Sequence, residues 1–321
     1  MAGRYGITFP FDGIPLLDQR PIIESLPDLG YTDLWSAESN GMDGLTPLAL
    51  ASVWAPQLRL GVAIVPVYTR GPATLAMSAA TMAAAAPGRF VLGIGTSSNV
   101  IVERWNSTPF DKPYQKVRDT LRFLKASMGG EKVTEDYETF SIKGFRMGFT
   151  PPEPPTVLVA ALRPGMLKLA GREADGAITN WLAPQDVTTV AAHLAEGGPD
   201  KELAARIFVA PTPDKETARA VGRFAIAAYL TVPVYRAFHE WLGRTELMQG
   251  MQDAWAAGDR KAALEAIPDE LVDSLVVHGD YDTCRARVQE YVDAGITTPV
   301  LAVLPVGVEA ADAVKGLAPT A

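Results

Sequence analysis

Eight short apolar runs, separated by longer amphipathic segments, constrain this chain more than any other feature. They cover 4–9, 33–37, 59–65, 90–95, 156–160, 176–180, 207–211 and 300–304. Most are nearly continuous in hydrophobic residues, the pattern of parallel strands covered on both faces by helices. Helical segments fall between them, over 16–29, 74–86, 112–128, 164–171, 184–196, 217–230 and 282–294. Their ends carry stop signals: Gly30, Pro87-Gly88, Gly129-Gly130 and Gly295, with Asp280 or Asp282 as the N-cap of the last. Strand and helix repeated eight times predict a closed (β/α)8 TIM barrel.

At 321 residues the whole chain, 1–321, is expected to form one barrel domain. Two insertions interrupt the cycle. A hairpin is expected over 137–150, and a helical insertion over 233–275, which follows the seventh run and should cap the C-terminal mouth. The net charge of -8 and the lack of a basic block argue against a nucleic-acid partner. No apolar stretch is long enough to span a bilayer, and no leader is expected before the strand-like start at Tyr5. The single Cys284 cannot form an internal disulfide, which fits a cytoplasmic protein. His193, His239 and His278 lack ligand spacing, so no metal is expected. The expected partners are a small-molecule substrate and a second copy of the chain.

In a barrel of this kind the active site is built by the loops that follow the strands. These loops bring Glu38-Ser39, Tyr68-Thr69-Arg70, Thr96-Ser97-Ser98, Leu162 to Met166 and Trp181 to one mouth. Glu38, with Ser39 beside it, is the candidate for handling a proton. Phe11, Met42, Tyr68, Trp105 and Trp181 also fall in mouth loops and are expected to line an apolar substrate pocket. Leu162 to Met166 leads into a helix, whose free amides suit a phosphate. Pro164 has no N–H, so Arg163, Gly165 and Met166 would be the donors.

Five stretches, taken together and in order, resemble the luciferase-like monooxygenase superfamily, in its coenzyme F-420-dependent branch. They are Gly30-Tyr-Thr-Asp-Leu-Trp-Ser-Ala-Glu-Ser, Leu60-Gly-Val-Ala-Ile-Val-Pro-Val-Tyr-Thr-Arg, Pro87-Gly-Arg-Phe-Val-Leu-Gly-Ile-Gly-Thr, Ala170-Gly-Arg-Glu-Ala-Asp-Gly-Ala-Ile, and Gly279-Asp-Tyr-Asp with Glu290-Tyr-Val-Asp-Ala-Gly. The resemblance implies a bulge with a non-prolyl cis peptide at Ala63-Ile64, supporting a flavin-like ring. It implies that Gly95, Thr96, Ser97 and Ser98 line the ring's pyrimidine side, that Glu38 reaches ring or substrate, and that Ala160, Ala161 and Leu162 to Met166 hold ring and phosphate. The implied activity is hydride transfer between reduced coenzyme F-420 and a small, apolar or electron-poor substrate. The alternative is a two-component monooxygenase using FMN and oxygen. The deazaflavin's oligoglutamate tail would meet Arg70, Arg104, Lys112, Lys116 and Arg163 at the rim. Two departures matter. Where the family's sugar-phosphate dehydrogenase has a His and a Glu, this chain has Ser39 and Ser98, so glucose 6-phosphate is not an expected substrate.

Overall fold

Parallel strands must close on themselves or leave an open edge, and here they close. The computed structural model describes residues 3–319. The strands run β1 (Gly6–Thr8), β2 (Asp33–Ser36), β3 (Arg59–Pro66), β4 (Phe90–Gly95), β5 (Val133–Asp136), β6 (Ser141–Phe145), β7 (Thr156–Ala160), β8 (Gly176–Asn180), β9 (Glu202–Ala210), β10 (Val276–His278) and β11 (Thr298–Val303). Neighbours in the barrel follow the order β9, β11, β1, β2, β3, β4, β7, β8, and β8 pairs back to β9. The first half of β9 closes the ring against β8, Gly176 to Asn180 matching Glu202 to Arg206. Its second half is flanked instead by β10, with Val276 opposite Phe208.

Trp35 fills the barrel floor, packed with Val91, Leu158, Ile178, Ala204 and Val300. Room for the indole comes from glycine: a Cβ on Gly6 would meet it at 3.1 Å, and one on Gly61 would collide with the ring. Below it, the first residues of four strands form a polar network. Arg59 binds Glu202 through both terminal nitrogens, at 2.7 and 2.6 Å, and Asp33 at 3.2 Å, while Thr298 donates to Glu202 at 2.7 Å. This is the N-terminal face, where barrels hold structure and not chemistry.

Helices α1 (Arg20–Ser25), α2 (Thr46–Trp54), α3 (Pro72–Ala85), α4 (Pro113–Met128), α5 (Pro164–Glu173), α6 (Val187–Ala195), α7 (Lys215–Leu230), α12 (Tyr281–Asp293) and α13 (Ala310–Gly316) accompany the strands. Between α7 and β10 lie α8 (Pro233–Trp241), α9 (Thr245–Ala256), α10 (Arg260–Glu265) and α11 (Asp269–Leu275). This segment is tied to the stretch after β8: Arg244 donates to Asp186 at 2.8 and 3.0 Å, and Tyr235 of α8 packs on Tyr229 of α7, which in turn packs on Trp181.

Several expected boundaries are corrected. The helix expected over 16–29 breaks into a short 3-10 turn, Leu16–Gln19, and α1, because Pro21 and Pro27 donate no backbone hydrogen bond. The hairpin lies earlier than 137–150, over β5 and β6; acidic Glu135 and Asp136 disguise β5, and Phe140 and Phe145 close over Phe123 at 6.2 and 5.5 Å. Strand β9 starts at Glu202, not 207, since its first half is Glu, Leu, Ala, Ala and Arg. Helices α2 and α13, and strand β10, are additional to the expected elements.

Candidate active site

Glu38 follows β2 at the C-terminal end of the barrel and is partly buried. Its carboxylate accepts from the Gly44 amide at 3.1 Å and from Arg70 at 2.8 Å. Arg70, after β3, also stands 3.7 Å from Asp43, and its Nε is buried without a partner. The hydrogen bond that Arg70 donates to Glu38 is the main reason that the guanidinium's pKa is held above its ordinary value. Partial burial opposes ionisation of Asp43, but the amides of Thr46 and Leu45 and the Arg70 charge outweigh it and lower its pKa. Strands β2 and β3 thus deliver a fixed ion pair to the mouth. Ser39 is outside this pairing: it is exposed, and its hydroxyl reaches only Asn40 at 3.3 Å.

Beside that pair lies a wall with few side chains. The β3–β4 register shifts between Val62 and Val65, and the Ala63-Ile64 bond there is cis, at the residues expected from the sequence. Facing this bulge, Gly93 has no room for a Cβ, which would strike the Val62 carbonyl. A Cβ on Gly95 would come within 2.8 Å of Ala160 and 3.2 Å of Ile64. Ala63, Ile64, Gly95 and Ala160 therefore form a surface with few side-chain atoms, whereas Ala161, expected beside them, is buried in the main core. Thr96, Ser97 and Ser98 continue from β4 into a turn, with Ser97 at φ 60° and the Ser98 hydroxyl accepting from the Ile101 amide at 3.3 Å.

Leu162 leads into α5, whose N-cap is Arg163 and whose first residue is Pro164. The Met166 amide already donates to the Arg163 carbonyl at 3.1 Å. It is not free in the way expected from sequence, which leaves Arg163 and Gly165 as the open amides.

The aromatic residues separate into two groups. Trp181 is 1% exposed and stacks on Phe208 at 4.0 Å, and Phe11 is also buried. Tyr68 packs on Phe110 at 5.1 Å and donates to the Asp111 carbonyl at 2.6 Å. Burial, then Asp111, push its phenol up to about 12. Met42 and Trp105 are 41% and 54% exposed, and Trp105 ends a π-helical turn, Val100–Trp105. They form a rim and not a lining. Of the rim cations, Arg70 is engaged by Glu38 and Lys112 by Glu138 at 3.1 Å. Lys116 sits over the Phe140 ring at 4.8 Å. Among the described residues, Arg104, Lys116 and Arg163 form no ion pair. No group of three or more His, Cys, Asp or Glu side chains converges there to hold a metal, and no helix there is long and apolar enough to cross a membrane.

One mouth residue escaped the sequence reading. Arg206, on the inner face of β9, points into the barrel with Thr8, Ser36 and Ala63 around the same cavity. Its alternation with Ala204 and Phe208 was the available signal, hidden because the strand was expected to begin one residue later.

Comparison with known proteins gives a consistent picture. A family model described as luciferase-like monooxygenase matches residues 12–298. The 5,10-methylenetetrahydromethanopterin reductase of Archaeoglobus fulgidus is 26% identical over 317 residues, covering 95% of this chain and 94% of that protein. A solved structure, the coenzyme F-420-dependent tetrahydromethanopterin reductase from Methanopyrus kandleri, superposes with a TM-score of 0.81 at 20% identity, covering 98% of this chain and 97% of the other. A type II Baeyer–Villiger monooxygenase from Pseudomonas putida, in complex with FMN, superposes with a TM-score of 0.68 at 16% identity, covering 99% and 97%. At these identities the two structures establish the fold.

Proposed function

Since this chain belongs to the luciferase-like monooxygenase family, we propose that it is an oxidoreductase using coenzyme F-420 to exchange hydride with a small organic substrate. The observation that carries the reading is the smooth wall of Ala63, Ile64, Gly95 and Ala160, which a Cβ at Gly95 would fill. When bound, the deazaflavin supplies a carbon-centred hydride, two electrons and one hydrogen, and the substrate takes a proton besides. The protein's part is to hold and orient. The wall accepts one face of the ring, and the free amides of Arg163 and Gly165 at the start of α5 suit the phosphate. Glu38, fixed by Arg70 and the Gly44 amide, sits where a substrate proton can be given or taken. Support for coenzyme F-420 comes from the named reductase relatives and from Arg104, Lys116 and Arg163, cations without acidic partners near the rim.

A second reading, FMN-dependent monooxygenation, is favoured by the FMN-bound neighbour, because wall and phosphate loop would serve either cofactor. The proposal is tested by titrating purified protein with coenzyme F-420 while following tryptophan fluorescence. Saturable binding at one cofactor per chain is expected, and Gly95→Leu should abolish it, with circular dichroism checking that the variant folds. A Gly95→Leu protein that binds as well as wild type would remove the wall from the cofactor site.

A further inference from the structure

Arg206 is a charge that the proposed chemistry leaves unused. It lies on β9 in register with Asn180 of β8 and Val300 of β11. Its Nε is buried without a partner, and among the described residues no carboxylate pairs with it. Among the arginines nearby, Arg59 pairs with Asp33 and Glu202, Arg70 with Glu38 and Arg244 with Asp186, whereas Arg104 and Arg163 at the rim, like Arg206, form no ion pair among the described residues. What holds Arg206 is aromatic. Its guanidinium carbon lies 5.0 Å from the Phe208 ring centre, and Phe208 stacks in turn on Trp181. The planar cation is therefore oriented while its donors stay open. The buried Nε is a donor that the protein leaves unmet and that an arriving anion would satisfy.

Topology says where that anion would lie. Counting round the ring of eight strands, β9 is four places from β3 in either direction. Arg206 thus faces the Ala63-Ile64 bulge across the barrel, and Arg206 and Ala63 line one void of about 10 Å³, room for a single water, with Thr8 and Ser36. The Thr8 hydroxyl is likewise buried without a partner. A ring lying on the bulge would present its free face toward Arg206, and a substrate would reach the guanidinium from the mouth of the barrel.

We propose that Arg206 is the substrate's anchor and that the substrate is a small organic acid. Its carboxylate takes the open guanidinium fork, and its apolar body lies between the fork and the ring. The guanidinium geometry matches a carboxylate through two parallel hydrogen bonds, a match that a neutral amide does not reproduce. This rests on the cofactor wall being where the ring binds.

The test compares an acid with its neutral isostere, using cinnamate and cinnamamide, read by tryptophan fluorescence on wild type, Arg206→Met and Arg206→Lys. Circular dichroism checks that the variants fold. Wild type should bind the acid at least about tenfold more tightly than the amide, as expected for a charge-assisted pair. Arg206→Met should lose that preference, and Arg206→Lys should keep part of it. Equal affinity of acid and amide in wild type, or a preference that survives in Arg206→Met, overturns the proposal. Coenzyme F-420 is titrated into the same proteins and should bind wild type and Arg206→Met alike. Loss of cofactor affinity in Arg206→Met, with the acid preference unchanged, would assign Arg206 to the cofactor and overturn it. Failure of the cofactor to bind wild type, with the acid preference intact, would refute the cofactor reading and leave the carboxylate anchor standing.

Discussion

Glu38 carries two bonds whose consequences separate on substitution. Glu38→Gln keeps an acceptor for the Gly44 amide but removes the charge opposite Arg70. Hydride-transfer rate or cofactor affinity should fall by at least about tenfold, the lower end of what a positioned acid or base contributes. Unchanged steady-state kinetics would make Glu38 structural. Ser39 and Ser98 give a negative expectation: the purified protein should not turn over glucose 6-phosphate, and substantial turnover would refute it. His239, buried beside the mouth, makes a third. Burial, reinforced by the Arg244 charge, pushes its imidazole down to about 3 from 6.5. The unfolded chain takes up this proton near 6.5, while the folded chain resists until about 3. The contribution to stability is complete above the higher value and is lost as pH falls toward the lower one. Melting curves of His239→Leu should therefore change less than those of wild type between about pH 7 and 5. Identical slopes would show that His239 is not the group responsible.

At the scale of elements, chemistry and stability sit at opposite ends of the same strands. The Arg59–Asp33–Glu202 network joins β2, β3 and β9 at the N-terminal face, and Arg59 and Asp33 are nearly inaccessible. Arg59→Met leaves the Glu202 carboxylate without its cation and Asp33 with only the more distant Arg4, at 3.7 Å, and should cost roughly 3–5 kcal/mol, measured by denaturant unfolding. A cost below about 1 kcal/mol would mean that the network is no more than a surface pair. All eight barrel strands were legible in the sequence because both their faces are buried, so they read as apolar runs. What was hidden had a physical reason in each case. The start of β9 carries Glu202 and Arg206, which serve the floor network and the mouth and interrupt the apolar run. The three-residue β10 lies directly after α11 and lacks a run of its own. Of the site, Glu38 and the glycines of β4 were legible from their place at strand ends. Arg206 was not, because a single arginine within a short strand reads as solvent-facing unless the strand's phase is known.

Across the whole molecule, an acidic chain of net charge -8 places unpaired cations around one mouth. Arg104, Lys116 and Arg163 suit a cofactor whose tail carries several carboxylates. FMN lacks that tail but shares the ring, ribityl chain and phosphate. Exposed pairs of this kind contribute only ~0.2–1 kcal/mol each, so the tail should adjust affinity while the wall and the start of α5 supply most of it. The most direct measurement is therefore a side-by-side titration of coenzyme F-420 and FMN into the apoprotein in one buffer, repeated at low and high salt. The deazaflavin should bind more tightly, and its advantage should shrink modestly as salt screens the rim charges. Tighter binding of FMN, with no salt dependence of the difference, would contradict the deazaflavin assignment and favour the flavin monooxygenase reading.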